Sequence, residues 1–198
     1  MARSVHDPAD GTIRAMRAAD VAWVLEQLWA PIVAVTAAHG GRENGLISST
    51  VVTASLLPES PRIAVQLSKT NLTHDLVCSS GALAVHFLPD DERGLELFRV
   101  LGIRTGRQTS KLEDIATAPG RTGAPILQEA VAYVEGRVAA MHAVEGATIV
   151  VADITGGKRL SDARVLTIEA VRQRLPREWA EEWERRLEAE LAAARRHR

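Results

Sequence analysis

Short apolar runs separated by turn residues fill the middle of this chain, and a charged helical pattern fills its end. Ile32-Val33-Ala34-Val35-Thr36, directly after Pro31, is a continuous apolar run of strand length. Before it, Asp20 is placed to cap a short helix through Leu28, with Val21, Val24, Leu25 and Leu28 on one face. His39-Gly40-Gly41-Arg42-Glu43-Asn44 reads as a turn, with the chain returning as a strand over 45–54. The turn Pro58-Glu59-Ser60-Pro61 leads into a third strand over 62–67.

The period then changes. Leu72, Leu76 and Val77 share a helical face, Thr70 or Asn71 can cap it, and Gly81 stops it. Residues 83–87 form a strand, and a helix near 91–101 ends at Gly102. The segment 103–125 is rich in Gly, Thr, Ser and Pro and reads as loop, except that Ser110 and Glu113 have the spacing of a capping box and predict a short turn of helix. Residues 127–144 fit either a helix or a strand bulged near Gly136. The strand is preferred, because 148–154 is a second β-rich run reached through a Glu145-Gly146 turn, which makes a hairpin. Residues 161–175 are mixed. From Pro176 the chain is helical, with Trp179, Trp183, Leu187 and Leu191 each four apart and expected to dock. Strands in the middle with helices at their margins imply an antiparallel barrel, mainly β with some α. The organisation expected is a loose arm over 1–17, a domain over 18–160 and a helical extension over 161–198.

Composition narrows the function more than the fold. The chain has 198 residues, 46% of them hydrophobic, and a net charge of −1. That balance argues against a general nucleic-acid binder, which carries a basic face. The single cysteine, Cys78, excludes an internal disulfide and a cysteine-based zinc site. His74, His86 and His142 lack metal-ligand spacing, so no metal is expected. No long apolar run or leader stands out, so a cytoplasmic protein without a membrane segment is expected. Gly156-Gly157-Lys158 has the end of a phosphate loop but neither its upstream glycine nor a following Ser or Thr.

The chemistry gathers around residues 44–73. Ser48-Ser49-Thr50 interrupts an apolar strand pattern where a core-building strand would place Val or Ile. Consecutive hydroxyls there suit a flat, polar-edged ligand lying against the strand. Asn44 precedes them. Ser68-Lys69-Thr70-Asn71-Leu72-Thr73 is a polar loop opening a helix, an arrangement that suits a phosphate. Farther on, Thr105-Gly106-Arg107-Gln108-Thr109-Ser110-Lys111-Leu112 and Gly123-Ala124-Pro125-Ile126-Leu127 complete an ordered series, which includes the small-residue turn Ser79-Ser80-Gly81.

Taken in order, these segments resemble the flavin reductase-like family of FMN-binding split barrels, over about residues 20–156. The resemblance implies a split β-barrel, FMN (or FAD) as cofactor, NAD(P)H as electron donor, and a homodimer with the flavin near the subunit interface. It further implies cofactor contacts from Asn44, Ser48, Ser49, Thr50, Ser68, Lys69, Thr70, Asn71, Thr73 and Lys111, with Lys111 and the 68–73 loop on the phosphate side. A partner monooxygenase receiving reduced flavin is one expected role. The chain departs from the family at the last hairpin, where many members carry Gly-Asp-His-Thr with the His near the nicotinamide. Here the sequence is Glu145-Gly146-Ala147-Thr148, and the nearest histidine, His142, lies five residues upstream of Ala147. Three functions follow: a flavin reductase, an FMN-binding protein of the same fold with little NAD(P)H oxidation, and a cofactor-free interaction module.

Overall fold

The computed structural model describes residues 31–107 and 110–195. The arm over 1–17 and the helix expected after Asp20 lie outside the described residues. Nine strands are described: β1 (Val33–His39), β2 (Arg42–Ser48), β3 (Val51–Thr53), β4 (Arg62–Ser68), β5 (Ala82–Phe87), β6 (Thr117–Pro119), β7 (Pro125–Leu127), β8 (Ala132–Val144) and β9 (Ala147–Arg159). The helices are α1 (Leu72–Ser80), α2 (Glu92–Phe98), α3 (Ile168–Arg174) and α4 (Arg177–Arg195), with a π-helical turn over Arg99–Ile103.

Seven strands form one antiparallel sheet in the order β2-β1-β5-β8-β9-β4-β3. The sheet curls until its ends approach: the Ser48 hydroxyl donates to the Gln66 carbonyl at 3.4 Å, and Gln66 N–H donates to the Thr50 carbonyl at 3.1 Å. The result is the curled half of a split barrel. The hydroxyl-rich segment 48–50 is therefore the seam at which β2 and β3 meet β4.

β1 is buried from Val33 to Ala37 because both of its faces are covered there, the Thr36 hydroxyl donating to the Pro125 carbonyl at 2.6 Å. Val33, Val35 and Ala37 point into a core shared with α1, β4 and β9, through Leu76, Val65 and Val150. Ile32 and Ala34, on the alternate face, join a second core with Leu97, Phe98, Leu101, Leu166 and Val171. Strand alternation thus divides one run between two cores. The segment after β9 belongs to the second: Ile32 N–H donates to the Leu166 carbonyl and Leu166 N–H to the Leu88 carbonyl, and Leu166 and Val171 are fully buried.

Several expected boundaries move. The turn after β1 is only Gly40-Gly41, with φ of 58° and 75°, the left-handed pair of a tight hairpin, so Glu43 and Asn44 lie within β2. The hairpin β8–β9 turns at Gly146, whose φ is 68°, and its pairing is bulged twice, with Thr155 extra on β9 opposite Glu135/Gly136 and Ala139 extra on β8. Gly136 sits where an added Cβ would meet the Asp153 carbonyl at 3.0 Å. Of the helical turn expected from Ser110 and Glu113, only a single hydrogen-bonded turn forms, Ile115 N–H donating to the Leu112 carbonyl at 3.1 Å. Lys111, Leu112 and Ile115 are instead drawn inward, and burial overrides the local capping signal. Within the expected loop, β6 and β7 pair as a short ribbon.

α4 corrects the expected docking stripe. Trp179 and Trp183 pack down, but Leu187 and Leu191 are 43% and 57% exposed. The docked face runs through Trp179, Trp183, Arg186, Glu190 and Ala194. Steps of four residues drift about 40° each around a helix of 3.6 residues per turn, so by Leu191 the stripe has turned away from the sheet. Among the described residues no helix is long and apolar enough to cross a membrane.

Candidate functional site

The seam of the half-barrel opens into a cavity of about 280 Å³. Its polar wall is Ser48, Ser49, Thr50, Gln66, Ser68 and Asn71. Its apolar wall is built from Ile32, Leu46, Ile47, Phe98, Leu101 and Ile168. α4 lies across it and contributes Trp183, Arg186, Leu187 and Glu190.

Local geometry explains the polar wall. The chain leaves β2 at Ser48, whose Oγ accepts from Thr50 N–H at 3.2 Å and lies 3.1 Å from Thr50 Oγ1. This compact turn leaves Ser49 and Thr50 exposed on the cavity side. Ser68 repeats the device at the end of β4: its Oγ accepts from Thr70 N–H at 3.4 Å and lies 2.8 Å from Thr70 Oγ1. Asn71 then occupies the N-cap of α1 in extended conformation, but its side chain makes no capping bond. It turns to α4, donating to Glu190 Oε1 at 3.3 Å and accepting from Arg186 at 3.5 Å.

Of the ten residues expected to bind cofactor, Ser48, Ser49, Thr50, Ser68 and Asn71 line the cavity together. The other five lie behind or beside it. Asn44 is buried and donates to Thr73 Oγ1 at 3.0 Å, tying β2 to the first turn of α1. Lys69 donates through Nζ to the Val144 carbonyl at 2.9 Å, and its backbone N–H donates to the Gly146 carbonyl. Thr70 supports Ser68. Lys111 is 2% exposed and donates to the Leu101 carbonyl at 2.7 Å, directly behind the apolar wall. Burial, reinforced by the positive charge of Arg186 and opposed by Glu190, lowers its pKa to about 7.

At the hairpin, Ala147 is 4% exposed and pairs with Ser68 on one side and Val144 on the other. His142 is exposed on β8 opposite Ile149 and is not part of the cavity lining. The apolar wall and, on α4, Arg186 and Glu190 were not singled out from sequence as site residues. The lining comes from elements as far apart in the chain as Ile32 and Glu190, and on α4 only Trp183 and Leu187 belonged to the expected stripe.

A model of the flavin reductase like domain matches residues 25–171. The chain belongs to the flavin reductase-like family. Within the family, a ferric-chelate reductase (NAD(P)H) of Archaeoglobus fulgidus is 35% identical over 134 residues, covering 67% of this chain and 78% of that protein. Among solved structures, a flavin reductase from Haemophilus somnus 129PT superposes with a TM-score of 0.67 at 16% identity, covering 77% of this chain and 94% of that one. The FMN-binding protein of Thermus thermophilus superposes with a TM-score of 0.60 at 19% identity, covering 81% and 80%. Like these proteins, this flavin reductase-like chain is a split barrel, and its homologues' names support an oxidoreductase.

Proposed function

We propose that the chain is an oxidoreductase that binds FMN in the cavity beneath α4 and passes hydride or electrons between NAD(P)H and the flavin. The observation that carries this reading is the mixed lining, in which the hydroxyls and amides of Ser48, Ser49, Thr50, Gln66, Ser68 and Asn71 share one cavity with aliphatic and aromatic groups. An isoalloxazine ring has apolar faces and one polar edge, and needs such a slot. Ser48, Ser49 and Thr50 serve the polar edge. Ser68 and Asn71 hold the phosphate end at the start of α1, with Lys69, Thr70, Thr73 and Asn44 supporting the loop from behind. Lys111 braces the wall from behind through its bond to the Leu101 carbonyl, without direct contact with the ligand. The compact cavity favours FMN over FAD.

When bound, the flavin supplies the hydride-accepting ring. The chain's own part is to orient that ring, to exclude water with the apolar wall and α4, and to offer hydrogen-bond donors where negative charge develops. The name of the Archaeoglobus relative supports NAD(P)H as donor and makes a ferric chelate a candidate acceptor, beside the flavin-dependent monooxygenase already expected. A cytoplasmic homodimer is part of the same reading, and light scattering on the purified chain tests its mass. The decisive experiment is the visible spectrum with FMN, followed anaerobically as NADH or NADPH is added. Bleaching supports the reading; a flavin that binds and stays oxidised sinks the reductase.

A second reading is favoured by Ala147 and by α4. With alanine at position 147, where many relatives carry a histidine, and a helix over the cavity, the chain would hold FMN and react slowly with nicotinamides, as a carrier or electron-transfer protein. Bleaching over hours instead of seconds selects it.

A further inference from the structure

The cavity contains a charged pair to which the reading above gives no role. Arg186 and Glu190 lie one turn apart on α4, and both line the cavity. An Arg186 Nη forms an ion pair with Glu190 Oε1 at 3.2 Å, and with Asn71 the two close a three-membered ring of contacts. Their side chains are 22% and 26% exposed, unlike the solvated pair Arg177–Glu181 farther up the same helix.

Three features distinguish the ring from an ordinary surface ion pair. The Nε of Arg186 is shut away from solvent and makes no hydrogen bond among the described residues, so the guanidinium keeps a buried donor in reserve. Asn71 holds the N-cap position of α1 yet turns its side chain to this ring, giving up the capping bond such a residue ordinarily makes. Ser68, on the same wall, lies within the polar loop that leads into Asn71. The cation, the amide and the loop therefore meet in one cluster on the cavity lining.

We propose that Arg186 and Asn71 form the anion subsite of this pocket, and that Glu190 fills it in the ligand-free chain as an internal anion which the phosphate of a flavin 5′-phosphate displaces. The inference rests on the flavin reading of the cavity. A carboxylate held through one Nη satisfies part of the guanidinium fork. A phosphate monoester has three oxygens and can engage Nε and Nη together. Glu190 is partly exposed and can swing toward solvent as it leaves. Substituting one charged partner of the pair and substituting the other then have opposite effects on a phosphorylated ligand, and neither acts on the uncharged riboflavin. A purely structural role for the pair predicts the same sign for both.

The test titrates FMN and riboflavin separately into the full-length chain and into R186Q and E190Q, following flavin fluorescence. R186Q is expected to weaken FMN by about tenfold or more, as for a lost charge-assisted contact, with riboflavin changed by less than about twofold. E190Q is expected to tighten FMN by about threefold to tenfold and to leave riboflavin alone. Thermal melts without ligand check folding; if R186Q does not fold, the sign and ligand selectivity of the near-isosteric E190Q decide. Flavin binding in which FMN and riboflavin shift together, or in which E190Q weakens or does not change FMN, overturns the subsite while leaving the flavin reading intact. If the unaltered chain binds neither flavin, the flavin reading fails and the subsite falls with it.

Discussion

Trp183 meets Phe98 edge to face, with ring centroids 5.2 Å apart and planes at 88°. The contact pins α4 onto the last residue of α2, and at the start of the π-helical turn the Arg99 guanidinium stacks 4.8 Å from the Trp179 ring. None of the residues of α4 is fully buried, so the helix depends on these few contacts. Trp183→Ala should release α4 at a local loss of about 2 kcal/mol, from the ring pair and its buried area. Hydrogen exchange checks it: amides of 177–195 should exchange faster while those of β1 and β5 keep their protection. Unchanged protection in α4 would show that the tryptophan is not its anchor.

Lys111 gives the chain a pH signature. Its folded pKa is about 7 against the ordinary 10.5, because burial disfavours the charged form. Below pH 7 both folded and unfolded chains hold the proton, and the full penalty for a buried charge is present. Between about 7 and 10.5 the unfolded chain binds more protons, so stability from this group rises with pH, by on the order of a few kcal/mol in total. Melting temperature measured from pH 6.5 to 9.5 should rise more in the unaltered chain than in Lys111→Met. Parallel curves would mean that Lys111 is charged when folded.

Gly106→Ala should disturb a joint behind the site. An added Cβ would lie 2.3 Å from the Asn44 side-chain nitrogen, which donates to Thr73. The asparagine must move, and the buried bond between β2 and α1 breaks, at about 1–3 kcal/mol. Urea unfolding measures the loss. A Gly106→Ala chain of unaltered midpoint would show that Asn44 has room to yield.

Ala147 is a poor place for the histidine that the hairpin lacks. With 4% exposure and neighbours on both sides in the sheet, an imidazole there overpacks. Ala147→His should lower stability by about 1–3 kcal/mol and leave the rate of flavin bleaching by NADH no faster. Stopped-flow absorbance together with a thermal melt decides; a stable, faster variant contradicts the packing argument.

The central strands were legible because their composition is a direct consequence of burial. β1 and β5 are mostly apolar, interrupted by the buried Thr36 and His86, since both have two covered faces, and the polar interruption at 48–50 marked the seam of the barrel. The ribbon β6–β7 was not, because three-residue strands containing Pro119 and Pro125 look like loop. Half of the expected site residues line the cavity and half support those that do. The distinction depends on which way alternate residues face, and Asn44 and Lys111 gave no local clue to it. Arg186 and Glu190 were hidden because a spacing of four from Trp183 leads to Leu187 and Leu191. Only the docked helix shows that the face turned inward is the one a step of seven reaches.

The most direct measurement is an FMN titration of the full-length chain beside Ser49→Trp. Ser49 is an exposed lining residue, so an indole there fills the cavity without entering the core. The account predicts saturable quenching of flavin fluorescence by the unaltered chain with a dissociation constant below tens of micromolar, roughly −6 kcal/mol or better. It predicts loss of that binding in a Ser49→Trp chain of normal fold. Absence of binding in the unaltered chain, or equal binding by both, contradicts it.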